Sequence, residues 1–195
     1  MIDLIYPYDL APVIPPPTAE TSAESRNVSE WFPIVESNGI VIGRSSRSYC
    51  HGGAKPLHPV VHIHIIDRMS RIYLQKRSMR KDIQPGKWDT AVGGHVSYGE
   101  SILEAVYREA SEELGLTEFN PIHVETYEFE SSVECEMVSV FAAVGSYELH
   151  PDKDEVDDGR WWELADIDSS IGKGIFTPNF ESEFAMIRSA LLALL

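Results

Sequence analysis

Apolar positions in this chain follow two different spacings, and the change from one to the other separates strands from helices. Trp31 to Val35 and Ile40 to Ile42 are apolar runs flanking Asn38-Gly39, a dipeptide that favours a hairpin turn because both residues tolerate positive φ. Pro33 has no amide hydrogen, which confines the first run to a sheet edge. Val60 to Ile66 reads as a buried strand that pairs across a polar turn with Arg71 to Gln75. A loop bounded by Pro85-Gly86 follows, then a short strand, Asp89 to Val92, that leads into Gly93-Gly94. Further on, Ile122 to Phe129 and Met137 to Val144 read as strands, Asp152 to Asp158 as an acidic loop, and Trp161-Trp162 as the start of a final strand.

Helical spacing occurs twice. Ser101 and Glu104 form a capping box, so a helix begins there and ends near Gly115, a glycine suited to a C-terminal cap. At about 100° per residue, Leu103, Val106, Ala110 and Leu114 fall on one stripe, with Glu109, Glu112 and Glu113 clustered roughly 115° away. Thr177-Pro178 opens a C-terminal helix in which Phe180, Phe184, Ile187, Leu191 and Leu194 repeat as a core-facing stripe. There is no internal repeat.

Residues 1 to 29 break this order: Pro12, the run Pro15-Pro16-Pro17 and a Thr/Ala/Glu/Ser-rich stretch favour an arm that is partly extended or mobile. Residues 30 to 195 are expected to form one domain, since a 195-residue chain that is 43% hydrophobic can bury one substantial core. The net charge of −15, from 31 acids against 16 bases, disfavours nucleic acid or an anionic membrane as partner. Cys50 and Cys135 lie far apart with no CxxC, which indicates neither a disulfide framework nor a thiolate zinc site. With no secretory leader pattern and no apolar stretch near the ~20 residues of a membrane span, the expected setting is the cytoplasm.

The acidic stripe carries the chemistry. Carboxylates at i, i+3 and i+4 repel one another by a few tenths of a kcal/mol per pair unless a cation lies between them. Hard divalent cations suit such an oxygen cluster, and Mg²⁺ in particular bridges one or two carboxylates to substrate phosphates. The substrate expected from these residues is a small-molecule diphosphate. Lys76, Arg77, Arg80, Lys81 and Lys87 concentrate five bases just before the acidic helix, either to bind phosphate or as a solvated basic loop balancing nearby acids. Trp88, Trp161 and Trp162 could stack on a substrate ring or serve as packing, and Tyr98 is open to either role.

The stretch Gly94 to Leu116, GHVSYGESILEAVYREASEELGL, fits the Nudix box at every fixed position, and the chain is identified as resembling the Nudix hydrolase superfamily. The resemblance implies an α/β fold, an α/β/α sandwich around a mixed β-sheet, and a metal site built by the box loop and helix. By position, Glu109, Glu112 and Glu113 match the metal-binding glutamates, with the Gly94 carbonyl as a further ligand for Mg²⁺ or Mn²⁺. Arg108 matches the arginine that orients a glutamate, and Glu100 the residue that fixes the loop–helix junction. Glu109 is the leading candidate for the general base, ahead of Glu112, with family members differing on which carboxylate serves. A homodimer is compatible with this picture.

A narrower resemblance, covering residues from about 30 to 170, is to isopentenyl-diphosphate isomerases, which share the fold and hold a metal with three histidines and two glutamates. His51, His58, His95, Glu134 and Glu136 match that pattern in order and imply a second divalent metal site, suited to Mn²⁺, Zn²⁺ or Fe²⁺. His62 and His64 match nothing and are read as structural. Two departures set the chain apart. Gly93 stands where those isomerases have a catalytic cysteine, and the intact Arg108, Glu109 and Glu112 keep the hydrolase pattern. Cys135 is no substitute, since strand alternation points it away from Glu134 and Glu136. The expected activity is therefore metal-dependent hydrolysis of the diphosphate linkage in a small nucleoside-diphosphate derivative or related diphosphate. An isopentenyl-diphosphate isomerase-type enzyme and a non-catalytic nucleotide-sensing Nudix module are the alternatives.

Overall fold

A computed structural model describes residues 1–7, 12–14, 30–80, 84–153 and 156–195. Most of the N-terminal arm, including Pro15-Pro16-Pro17, and Lys81 of the basic loop lie outside the described residues. Backbone contacts group the chain into two units. One comprises Met1–Val61, Gly94–Ala105 and Thr126–Ser139; the other comprises His62–Gly93, Val106–Glu125 and Val140–Leu195. Strands β3 (Leu57–Ile66), β4 (Ile72–Arg77), β5 (Trp88–Asp89), β7 (Ile122–Glu130) and β8 (Cys135–Val144) belong to a seven-stranded sheet ordered β5-β4-β3-β8-β7, with β6 (Val92–His95) on β3 and β9 (Val156–Trp162) on β4. The class is α/β, as the sequence led us to expect.

In the first unit, β1 (Trp31–Val35) and β2 (Val41–Ser46) form the expected antiparallel hairpin, with Pro33 opposite Arg44 on an edge strand. The turn works through Asn38 Oδ1, which accepts the Ile40 amide at 3.0 Å, and Gly39, whose φ of 86° lies in the left-handed region. The other side of β2 is occupied by the start of the chain. Ile5 bridges Ile40 and Val13 bridges Arg44, both in parallel. Ile2, Leu4 and Tyr6 then pack on Val35, Val41 and Met137, while Ile14 packs on Phe32, Ile34 and Cys50. After β2 a short helix α1 (Arg47–Tyr49), capped by the Ser46 hydroxyl, runs into a wide π turn, Cys50–Ala54. Neither was expected from the sequence pattern.

The second unit holds the antiparallel pairs β4 (Ile72–Arg77) with β5 (Trp88–Asp89) and β4 with β9 (Val156–Trp162). Trp161 and Trp162 therefore end the last strand rather than start it, and Asp157 and Asp158, expected in a loop, sit within it opposite β4. Backbone pairing with the apolar β4 overrides the local acidity of this segment. The single strand expected at Asp89 to Val92 is split into β5 and β6 (Val92–His95). Helix α3 (Leu164–Ser170) was missed, and α4 (Pro178–Leu192) is capped by the Thr177 hydroxyl, which accepts the Phe180 amide at 3.1 Å. Phe180, Phe184, Ile187 and Leu191 are buried as expected, but α4 stops short of Leu194. Rings of Trp162, Phe176, Phe180 and Phe184 follow one another at centroid spacings of 5.2, 5.0 and 5.4 Å.

Helix α2 (Ile102–Leu114) is the Nudix-box helix. Its capping box is reciprocal: the Ser101 hydroxyl accepts the Glu104 amide at 3.3 Å, and Glu104 Oε2 accepts the Ser101 amide at 2.8 Å. Gly115, at φ 63°, ends it with an amide donated to the Ser111 carbonyl. One expected stripe residue is wrong. Leu103 is 39% exposed, and Ile102 and Ala105 take the buried positions beside Val106, Ala110 and Leu114. No helix among the described residues is long and apolar enough to cross a membrane.

Candidate active site

The three box glutamates have different surroundings along α2. Arg108 Nη1 donates to Glu109 Oε1 at 2.7 Å and to Glu112 Oε2 at 3.0 Å, so one guanidinium spans two of the three carboxylates. Glu112 is open to solvent, with 61% of its side chain exposed, whereas Glu109 is mostly covered. Glu113 is buried and turned to the strands: its Oε2 accepts Gln75 Nε2 from β4 at 3.1 Å and the Gly93 amide at 3.4 Å. The like-charge repulsion expected on this face is thus offset in two ways, by an arginine within the helix and by amide donors on neighbouring strands. Arg108 thus sits among three carboxyl side chains, an oxygen-rich donor group of the kind that hard divalent cations bind.

The loop before the helix is fixed within the first unit. Glu100 Oε2 accepts the Ser97 amide at 2.9 Å, and the Glu100 carbonyl accepts the Tyr6 hydroxyl at 3.0 Å, which suits the junction role its position implies. Tyr98, undecided from sequence, is a packing residue: its ring meets Tyr6 edge-on at 5.5 Å and lies 5.4 Å under the Arg44 guanidinium. Burial raises the Tyr6 hydroxyl to about 12, so it remains a neutral donor.

Two of the proposed phosphate-binding bases are engaged elsewhere. Arg77 pairs with Asp89 at 3.3 Å, and Arg80 donates to the Lys153 carbonyl at 3.2 Å. The Lys87 carbonyl accepts the Arg77 amide, which closes the base of the loop. Two of the tryptophans are packed: Trp88 and Trp162 are buried, 5.2 Å apart and nearly perpendicular, with Arg160 lying over both rings. Trp161 faces Tyr73 edge-on.

The five residues of the second metal pattern do come together in the first unit. His51, His58 and His95 each offer a ring nitrogen, and these nitrogens lie within 4.8 Å of one another. Among the described residues this is the group of three or more such side chains that converges so closely. His51 Nε2 and His95 Nε2 stand 3.0 Å apart. Glu134 Oε2 lies 2.8 Å from His51 Nδ1, and Glu136 Oε1 lies 3.9 Å from His95 Nε2. Phe32 forms one wall, stacked on His95 at 4.4 Å with the planes 2° apart and on His58 at 5.6 Å. His58 gives the clearest test of fit. Its Nδ1 faces the Pro56 carbonyl at 2.9 Å, while its buried Nε2 has no partner among the described residues. Burial pushes His58 below the ordinary imidazole value, with His51 and Arg47 acting in the same direction. A neutral imidazole is the form that binds metal, so the donor set suits a borderline divalent ion.

The sequence profile of the NUDIX domain matches residues 56–180. The chain belongs to the Nudix family. An uncharacterized Nudix hydrolase of Yersinia pestis is 35% identical over 156 residues, which span 78% of this chain and 82% of that protein. An isopentenyl-diphosphate Delta-isomerase of Leifsonia xyli subsp. xyli is 31% identical over 150 residues, 73% of this chain and 81% of that one. Among solved structures, a Deinococcus radiodurans protein superposes with a TM-score of 0.70 at 20% identity, covering 81% of this chain and 99% of that one. The chain is a Nudix hydrolase whose sequence relatives include both hydrolases and isomerases.

Two polar groups were not expected from the sequence. Gln75 is a second anchor for Glu113. Glu183 projects from the apolar stripe of α4 and meets both histidines that had been set aside, with Oε2 2.7 Å from His62 Nδ1 and Oε1 2.6 Å from His64 Nε2. A polar residue between Phe180 and Phe184, together with paired histidines on one strand face, was the available signal.

Proposed function

We propose that this Nudix hydrolase is metal-dependent and cleaves the diphosphate linkage of a small nucleoside-diphosphate derivative or a related diphosphate. The observation that carries this reading is the Arg108 bridge from Glu109 to Glu112, which aligns carboxylates in an oxygen-rich group of the kind a hard divalent cation binds. Glu109, Glu112, Glu113 and the Gly94 carbonyl are the assigned ligands for Mg²⁺ or Mn²⁺. When bound, the cation supplies charge neutralisation at the phosphates and a lowered pKa for water. Glu109, fixed by Arg108, takes a proton from the attacking water as its oxygen bonds to phosphorus and the bridging P–O bond breaks. Glu113, tied down by Gln75 and the Gly93 amide, has little freedom to leave its position. His51, His58 and His95, with Glu134 and Glu136, are assigned to a second divalent ion. The enzyme is taken to work in the cytoplasm on a small molecule, with no nucleic-acid partner.

The test is a screen of purified protein with Mg²⁺ and Mn²⁺ over nucleotide sugars, dinucleoside polyphosphates, oxidised nucleotides, coenzyme diphosphates and isoprenoid diphosphates, with phosphate products followed by ³¹P NMR. Glu113→Gln should lose metal-dependent turnover while its circular dichroism spectrum stays that of the wild type. Unchanged rates in that variant would end the assignment.

A second reading is isomerisation of isopentenyl diphosphate, favoured by the convergence of the three histidines and opposed by the absence of a thiol at Gly93. Formation of dimethylallyl diphosphate by the wild-type protein would reverse the order of the two.

A further inference from the structure

The loop that leads into the box helix, Gly94 to Ser101, carries the carbonyl assigned to a divalent cation at one end and the helix cap at the other. Its first half is tied to strands of its own unit: the Val96 amide donates to the Pro59 carbonyl at 3.1 Å and the Tyr98 amide to the Trp31 carbonyl at 2.8 Å. Its second half turns at Gly99, whose φ of 93° lies in the left-handed region and which has open space where a β-carbon would stand. Side-chain packing therefore does not hold that side of the turn, and hydrogen bonds must.

Tyr6 makes two of them. Its hydroxyl accepts the Gly99 amide at 3.0 Å and donates to the Glu100 carbonyl at 3.0 Å, so a single oxygen serves as acceptor and donor to adjacent residues of the loop. The ring that carries this hydroxyl meets Tyr98 edge-on at 5.5 Å and packs against Val35, Val41 and Met137. The backbone beside it is fixed as well. The Ile5 amide donates to the Gly39 carbonyl and the Ile5 carbonyl accepts the Val41 amide, both at 2.9 Å. All of these groups belong to the first unit, and Tyr6 lies outside the segment matched by the family profile.

We infer that Tyr6 is a positioning residue for the box metal site: through Gly99 and Glu100 its hydroxyl holds the loop in the shape that presents the Gly94 carbonyl to a divalent cation. The inference rests on the assignment of Gly94 as a ligand in the reading above. Groups that bond directly to a metal ligand typically change metal affinity about 10–100-fold when removed. Tyr6 acts on the loop rather than on the ligand itself, so a smaller factor of about threefold or more is expected.

The test uses the full-length protein labelled with ¹³C and ¹⁵N. Mg²⁺, which prefers oxygen ligands to imidazole, is titrated while the ¹³C shift of the Gly94 carbonyl is followed, and exchange of the Gly99 amide hydrogen is measured alongside. Tyr6→Phe keeps the ring and removes only the hydroxyl. It should weaken the Mg²⁺ affinity read at Gly94 about threefold or more and speed exchange at Gly99 about tenfold or more. Leu4→Ala trims the same segment's contact with Val35, Val41 and Met137 but spares the hydroxyl. It should lower Tm while leaving that affinity within about twofold, which separates positioning from a general loss of stability. Equal Gly94 titrations in wild type and Tyr6→Phe, unchanged exchange at Gly99, or an equal loss of affinity in Leu4→Ala would each overturn this inference alone. A Gly94 carbonyl that does not respond to Mg²⁺ in the wild type would overturn the ligand assignment and this inference with it.

Discussion

Glu183→Gln offers the most quantitative test of the buried group. The substitution keeps shape and removes only the negative charge, at a site 1% exposed where both carboxylate oxygens make short contacts of 2.7 and 2.6 Å. Breaking a buried ion pair by neutralising one partner costs about 3–5 kcal/mol, because the other charge remains. Gln can still accept from one imidazole and donate to the other, so the lower end, about 3 kcal/mol, applies. For a chain of this length 1 kcal/mol moves Tm by about 2–4 °C, giving a drop of about 6–12 °C in thermal melts followed by circular dichroism at pH 7. The pH dependence has a definite sign. The Glu183 carboxyl is held low in the folded state, so its contribution is complete above the unfolded value near 4.3 and is lost as pH falls through the folded one. The gap between wild type and variant should accordingly narrow below about pH 4. Replacing His62, His64 and Glu183 together by leucine should cost far less than the single change, since no charge is stranded. A loss below about 1 kcal/mol for Glu183→Gln, or a gap that widens in acid, would refute the reading of Glu183 as a buried, ion-paired carboxylate.

Three further outcomes are expected. Gly93→Ala should change stability by no more than about 1 kcal/mol in urea unfolding, because the new β-carbon makes only ordinary contacts with His62 and Thr90; a loss above 2 kcal/mol would contradict that geometry. Ser101→Ala should cost about 1 kcal/mol through the lost cap of α2, and Glu104→Ala should add little on top, since the two act as one reciprocal pair. Crystals soaked in Mn²⁺ or Zn²⁺ should give anomalous density between His51, His58 and His95 that His58→Phe removes; density elsewhere only would leave the histidines without that role.

Much of the fold was legible because alternation and capping are local. Asn38-Gly39, Ser101 with Glu104, and Thr177-Pro178 each marked a boundary through the backbone geometry they impose, and the hairpin and both long helices lie there. What was misread depended on distant neighbours. Leu103 and Ile102 are adjacent and equally apolar, and only packing decides which of them is buried. Asp157 and Asp158 read as loop until β4 supplies the partner that makes them strand. At the site, the resemblance to the isomerases picked out the histidines that converge, but not what each side chain would touch. Arg77 and Arg80 have the right charge near the box and pair with Asp89 and a carbonyl instead. Glu183 was hidden because a single acid in an apolar helix carries no pattern of its own.

The strand bridges made by Ile5 and Val13 also bear on handling and on evolution of the chain. They cover the free edge of β2, and the side chains around them are so close that a β-carbon at Gly39 would come within 2.7 Å of Ile2. An uncovered strand edge is a template for pairing with another molecule. A protein begun at residue 30 would keep the β1–β2 hairpin but lose this guard. Such a protein should associate through the bared edge of β2, so a segment well outside the family match at 56–180 helps to keep copies of the chain apart.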